Sequence, residues 1–205
     1  VLLAADDTGY RHLLTLISQS FLAGHDCRHP VLQLDNFNAM SEGLIVLTGG
    51  PSGMLGKLLL HNRHADAEAL INRLQALFPE RVYIELMRHG LEEEQVTEPA
   101  FIDLAYAHDV PLVATNDAYF SARDIYDAHD ALICIAEGRY VSETDRRRLT
   151  PEHYFKSSEE MMALFADIPE AIENTMVVAQ RCAVMPEAHA PMLPHFPTEN
   201  ERSEE

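Results

Sequence analysis

Only 15 Lys and Arg residues stand against 33 Asp and Glu in this chain of 205 residues, which leaves a formal charge of −18 at neutral pH. So acidic a chain repels the phosphates of nucleic acid, and tight DNA binding by the chain alone is not expected. Cysteine is also sparse. Cys27, Cys134 and Cys182 make an odd count, lie far apart and form no Cys-x-x-Cys pair. That pattern suits reduced thiols and predicts a cytoplasmic protein. No apolar run approaches the ~20 residues that span a bilayer, so no membrane association is expected. The opening VLLAADDTGY has neither the basic start nor the cleavage site of a signal peptide. Its first residue is not Met, and a chain that opens inside a strand predicts a piece of something longer.

What the chain does have is 47% hydrophobic residues, enough for a sizeable core. Val1 to Ala5 reads as a strand. Cap-forming Asp6-Asp7-Thr8 follows, and then Tyr10, Leu13, Leu14, Ile17 and Phe21 at helical spacing. GLIVLTGG gives a second strand, and a helix from about His64 to Phe78 carries a stripe of Leu70, Ile71, Leu74 and Leu77. RVYIELM is a third strand, with Val82, Ile84 and Leu86 on one face and Glu85 on the less apolar side. Pro99 is placed in the first turn of a helix carrying Phe101, Leu104 and Ala105. LVAT is a fourth strand, and Ser121-x-x-Asp124 predicts the cap of a helix bearing Ile125, Ala128, Leu132 and Ile133. Strands alternating with helices imply parallel β-α units and a barrel-like α/β domain. After Gly138 come a loop with Arg146, Arg147 and Arg148, and then helices entered at Ser157-x-x-Glu160 and near Asp167-Ile168-Pro169. The expected division is one domain over 1–185 and an extended, proline-rich linker over 186–205.

In a parallel α/β barrel the C-terminal strand ends share one rim, where ligands and catalysis gather. Three strands here end in Gly49-Gly50, His89 and Asp117. Imidazole and carboxylate are ligand types for Zn²⁺ or Mn²⁺, but two are fewer than the three protein ligands a catalytic zinc usually has, and a His-Gly after a strand is more often a turn. GGPSGMLGKL fails as a phosphate loop, because Pro51 and Leu58 stand where Gly and Ser or Thr are needed. His25, Cys27 and His29 alternate on a loop without a fourth ligand. His61 and His64 read as exposed helix-end residues. Asp127 and His129 are a candidate pair beside the rim, with a buried, hydrogen-bonded His129 as the alternative. The three arginines are candidates to meet phosphates or an acidic partner; the default is a solvated basic loop.

SEGLIVLTGG, YIELMRHGL, PLVATNDAYF, AHDALICIAEG, SSEEMMALFADIPEAIENT and AQRCAV followed by LPHFP occur in an order and spacing that resemble the PHP (polymerase and histidinol phosphatase) domain of bacterial replicative DNA polymerase III alpha subunits. The resemblance implies a distorted seven-stranded β/α barrel, here an incomplete C-terminal portion followed by helices and the linker. It implies that the first strands, with a His-x-His motif, lie upstream of Val1 and the polymerase core downstream of Glu205. It also implies that members retaining all their ligands hold three metal ions and can act as 3′–5′ exonucleases. Of four ligand positions carried over, His89 and Asp117 match, whereas Gly50 stands where the family has Cys and Tyr119 where it has His. The resemblance therefore implies a degraded metal site, no cofactor for this fragment, and Zn or Mn only if the site works in the full-length subunit. It implies structural support of the polymerase and docking of the proofreading exonuclease subunit. The alternative is a metal-dependent 3′–5′ exonuclease or phosphoesterase with a reduced ligand set. On either reading the resemblance implies a parent that is a nucleotidyltransferase, a DNA-directed DNA polymerase of DNA replication, and the fragment is not expected to be catalytic by itself.

Overall fold

A computed structural model describes residues 1–22 and 30–186. Its four-stranded sheet has the order β1-β2-β3-β4, from β1 (Leu2–Ala4), β2 (Leu44–Leu47), β3 (Val82–Leu86) and β4 (Leu112–Ala114). Each strand falls on an apolar run legible in the sequence. β2, β3 and β4 are parallel, with Leu47 opposite Tyr83 and Glu85 opposite Val113. β1 departs from the expected all-parallel arrangement: it pairs antiparallel with β2, Leu3 opposite Ile45. The cause lies at its end, where Ala5 N donates to Gly43 O at 2.8 Å and pins the exit of β1 to the entrance of β2. The described residues thus form a mixed α/β fold with one open sheet.

Among the described residues seven α-helices accompany these strands: α1 (Asp7–Leu22), α2 (Met54–Leu60), α3 (His64–Leu77), α4 (Glu92–His108), α5 (Tyr126–Glu137), α6 (Ser158–Leu164) and α7 (Pro169–Arg181). One sheet face packs Leu44, Val46, Ile84 and Leu112 against Ile71 of α3 and Phe101 of α4. The other packs Ile45, Leu47, Tyr83 and Val113 against Val178 of α7. With both faces covered, every residue of β2, β3 and β4 is buried, and each large apolar side chain so placed stabilises the fold by roughly 1.5–3 kcal/mol.

Several elements correct the pattern read from sequence. On α1, Gly9, Leu16 and Ser20 are buried, whereas Leu14, Ile17 and Phe21 are exposed. A Cβ on Gly9 would lie 1.8 Å from Gly43 O, so a backbone approach that only glycine permits fixes which side of α1 faces inward. Pro99 is inside α4 and not in its first turn, which is filled by Glu92, Glu93 and Glu94. Ser121 caps nothing: a 3₁₀ turn, Arg123–Ile125, precedes α5, whose buried residues are Asp130, Ile133 and Cys134, with Ile125 and Leu132 exposed. The later signals behave as expected. Ser157 accepts from Glu160 N while Glu160 accepts from Ser157 N, a capping box that starts α6, and Pro169 opens α7.

Two arginines tie these elements together. Arg88, just past β3, forks onto Glu98 of α4 at 2.7 and 2.9 Å and onto Asp167 between α6 and α7 at 2.7 and 2.8 Å. Its guanidinium also lies over the Phe165 ring, 4.6 Å from the centroid. Arg146 is not part of a solvated basic loop. Its side chain is 1% exposed and makes a bidentate pair with Asp130 of α5 at 2.5 and 2.6 Å. Arg148 donates to Val141 O and Glu143 O, and Arg147 alone of the three reaches outward, to Glu137. No helix among the described residues is long and apolar enough to cross a membrane. The His25/Cys27/His29 cluster and the linker over residues 187–205 lie outside the described residues.

Candidate functional site

Because β2, β3 and β4 run parallel, their C-terminal ends place Gly49-Gly50, His89 and Asn116-Asp117 along one edge of the sheet. Glu85 braces that edge from within. It was expected on the less apolar side of β3, but it is buried, with Oε2 accepting from Gly49 N at 2.8 Å and Oε1 from Thr115 Oγ1 at 2.7 Å. Its own N–H donates to Thr48 Oγ1 at 3.0 Å. One carboxylate therefore ties the ends of three strands, in a setting where an unpaired charge is prohibitive.

His89 is 2% exposed and fixed at both ring nitrogens. Nδ1 lies 2.7 Å from Glu94 Oε1, and the other oxygen of Glu94 accepts from His89 N at 2.6 Å and Leu91 N at 3.1 Å. Nε2 lies 3.1 Å from Asn116 Oδ1. The orientation of that amide is set from behind, since Asn116 Nδ2 donates to Tyr154 O at 2.8 Å and so turns Oδ1 toward the imidazole. Burial pushes the Glu94 carboxyl up, but the His89 ring and the two backbone N–H groups outweigh it and hold the group below the usual carboxylate range. A metal ion at either His89 nitrogen has to displace one of these partners.

The sequence did not reveal the other half of this edge. His153 stacks on His89 with centroids 4.1 Å apart and planes 15° from parallel, and burial, followed by the neighbouring His89, pushes its pKa down. Lys156 is buried too. Its Nζ donates to Glu152 O and lies 3.5 Å from Asn116 Oδ1, while burial lowers its pKa against the pull of nearby carboxylates. These residues reach the strand ends because segment 153–156 returns alongside β4's exit: Tyr119 N donates to His153 O at 2.8 Å, Phe155 N to Phe120 O at 2.9 Å, and Phe120 and Tyr154 form a parallel bridge. Thr150 Oγ1 closes the arrangement by donating to His89 O at 2.7 Å. Glu94 had a readable signal, a glutamate three residues after a helix entry; His153 and Lys156 had none.

The four positions singled out in the sequence fare differently. His89 sits at the centre of the buried network. Asp117 is exposed. Tyr119 is half-exposed, with its ring 5.9 Å from that of His153, and burial together with the Asp117 carboxylate raises its hydroxyl above the ordinary tyrosine value. Gly50 is buried with φ at +56°, and a Cβ there would lie 3.1 Å from Met87 Sδ. His129 is not paired with Asp127; it packs on Phe120 at 5.2 Å, and its buried Nδ1 has no hydrogen-bond partner among the described residues. His61 and His64 are exposed at helix ends. Among the described residues no three His, Cys, Asp or Glu side chains are grouped to hold a metal ion. The donors present therefore do not fit a metal cluster without rearrangement, and what this edge offers chemically is a cross-linked polar plug.

Comparison with known proteins gives this geometry a context. Residues 1–89 match the PHP domain family. The chain is 46% identical over 204 residues to the DNA polymerase III subunit alpha of Caulobacter vibrioides, covering 100% of this chain and 18% of that protein. It is 42% identical over 202 residues to the subunit of the same name from Rickettsia bellii, 98% of this chain and 17% of the relative. The Escherichia coli K12 subunit is 39% identical over 197 residues, 96% of this chain and 17% of the relative. The chain thus spans under a fifth of the length of these curated relatives.

Proposed function

With a PHP domain at residues 1–89 and a match to DNA polymerase III alpha subunits along its whole length, we propose that this chain is a non-hydrolytic PHP module of such a subunit. It supports the polymerase and docks the proofreading exonuclease subunit. In the complete protein its strands belong to a distorted seven-stranded β/α barrel whose metal site has degenerated.

The observation that carries this reading is the engagement of His89. A ligand imidazole often hands one ring N–H to a carboxylate, as Nδ1 can to Glu94, and turns the other nitrogen to the metal; here that other nitrogen, Nε2, faces Asn116 Oδ1 at 3.1 Å, with Asn116 itself held by Tyr154. Gly50 offers no donor, and the phenol of Tyr119 stays protonated at neutral pH. The rival reading, a metal-dependent 3′–5′ exonuclease with a reduced ligand set, keeps the exposed Asp117 at these four positions and has to displace Asn116 to use His89.

The test uses the full-length subunit, purified without added metal. Elemental analysis is expected to give far fewer than three Zn²⁺ or Mn²⁺ per chain, with no metal-stimulated release of nucleotides from a 3′ end once the proofreading subunit is removed. Titration with that proofreading subunit is expected to give a stable complex that EDTA does not weaken. About three tightly held metals with nuclease activity lost on Asp117→Asn sinks the proposal in favour of the rival.

A further inference from the structure

The segment of residues 153–156 inverts the usual order of burial. Phe155 is turned out and 74% exposed, whereas Lys156 is turned in and 8% exposed. An exposed phenylalanine forgoes apolar burial and a buried ammonium loses hydration, so both placements cost free energy. The backbone bonds to Tyr119 and Phe120 fix this register, and it delivers a cation to the ends of the strands.

Lys156 Nζ donates to Glu152 O, stands 4.6 Å from the centroid of the Tyr154 ring and lies 3.5 Å from Asn116 Oδ1. Glu152 Oε2 is 3.9 Å away, and the other oxygen of that carboxylate is taken by Arg123 at 2.6 Å. Glu160 is engaged by Tyr154 Oη and Ser157 N, each at 2.7 Å, and Glu94 by His89. The acids around the ammonium thus have other partners, and its charge is left directed at the amide oxygen of Asn116. His89 Nε2 faces that same oxygen at 3.1 Å. Turning the amide over would set its NH₂ against the ammonium and break the bond to Tyr154 O, so Asn116 is held in one orientation from both ends.

We propose that Lys156 is a built-in cation that keeps divalent metal away from this edge. Its ammonium fixes Asn116 with Oδ1 on His89 and repels a second cation from the nitrogen behind that oxygen. A divalent ion at His89 Nε2 has to displace Asn116 and come to rest beside a buried like charge, where screening by water and salt is weak. Lys156 acts here through Asn116, as a positioning residue. The inference rests on the reading of this edge as a site that no longer takes metal, and it adds a cause independent of Gly50 and Tyr119.

The test uses the full-length subunit, stripped with EDTA and desalted, then dialysed against Zn²⁺ alone near neutral pH with bound zinc read by elemental analysis. Lys156→Met keeps the stem without the charge, Lys156→Arg keeps the charge, and Lys156→Met combined with His89→Gln removes the nitrogen at issue. Lys156→Met is expected to hold zinc more tightly than wild type by about tenfold or more. Lys156→Arg is expected to match wild type, and His89→Gln to abolish the gain. A role confined to stability lowers the melting temperature of Lys156→Met but creates no zinc uptake that depends on His89. Should Lys156→Met fail to fold, Lys156→Gln, which keeps a donor toward Asn116 without the charge, takes its place with the same expectation. Equal zinc uptake by wild type and Lys156→Met, both poor in metal, overturns the inference and leaves the non-hydrolytic reading standing. A gain that survives His89→Gln, or that Lys156→Arg shows equally, also overturns it. A wild type that already holds about three metals overturns both.

Discussion

Replacing Glu94 by alanine removes three hydrogen bonds at once, from His89 N, Leu91 N and the His89 ring, and leaves those donors in a place where Glu94 itself is only 4% exposed. A hydrogen bond to a charged group contributes about 1.5–3 kcal/mol, and an unpaired buried donor costs about 1–3 kcal/mol. The three bonds share one carboxylate and overlap, so the expected loss is about 4 kcal/mol, a large part of the roughly 5–15 kcal/mol that holds a domain together. Glu94→Gln keeps one acceptor oxygen for the backbone donors and gives up the charged contact to the ring, which points to about 1.5 kcal/mol. The assay is urea unfolding followed by far-UV circular dichroism. With an m-value of about 2 kcal/mol/M, the midpoint falls by about 2 M for alanine and by under 1 M for glutamine. A loss below about 1 kcal/mol for alanine, or equal losses for the two variants, would refute the idea that Glu94 anchors His89.

Asp130→Asn is expected to weaken the fold in a pH-dependent way. Arg146 holds the Asp130 carboxyl below the usual carboxylate range, so its contribution is present above that range and disappears as pH falls through the lowered value. Unfolding midpoints of wild type and variant should therefore differ at neutral pH and converge in acid; a gap that persists in acid contradicts this. Gly50→Ala is expected to cost about 1–2 kcal/mol, since φ of +56° disfavours any Cβ, and a thermal melt unchanged from wild type speaks against it. Fluorescence titration with single- or double-stranded DNA at about 0.15 M salt is expected to show no binding, and a salt-sensitive, sub-micromolar complex contradicts the charge argument.

The strands and the edge they share were legible because short Val, Leu and Ile runs ending in glycine or polar turns have few other uses. His89 and Asp117 were found for that reason. The inward side of α1 was not legible: Leu14, Ile17 and Phe21 offer the larger apolar surface, and the helix obeys the Gly9–Gly43 approach instead. Ser121-x-x-Asp124 has the right letters for a cap, but the 3₁₀ turn takes up the residues before α5. The polar network escaped for a different reason. Glu94, Asn116 and the His153/Lys156 pair belong to three separate segments, and only the return of residues 153–156 beside Phe120 brings them together. Arg146 reads as one of three equivalent arginines, and its partner sixteen residues earlier looks like any helix-surface aspartate.

The return segment also governs when this edge of the sheet can exist. Thr150 bonds to His89 across 61 residues of sequence, and Tyr154 sets the Asn116 amide across 38. During synthesis from the N-terminus, β2, β3 and β4 can associate before residue 150 has emerged, but His89 then faces water with its ring unstacked. The strand ends thus pass through an open interval, and closing it pays the entropy of a long loop for a few well-placed bonds. Any slowing of elongation between β4 and residue 156 prolongs the time in which His89 and Asp117 are both accessible to metal in a half-made chain.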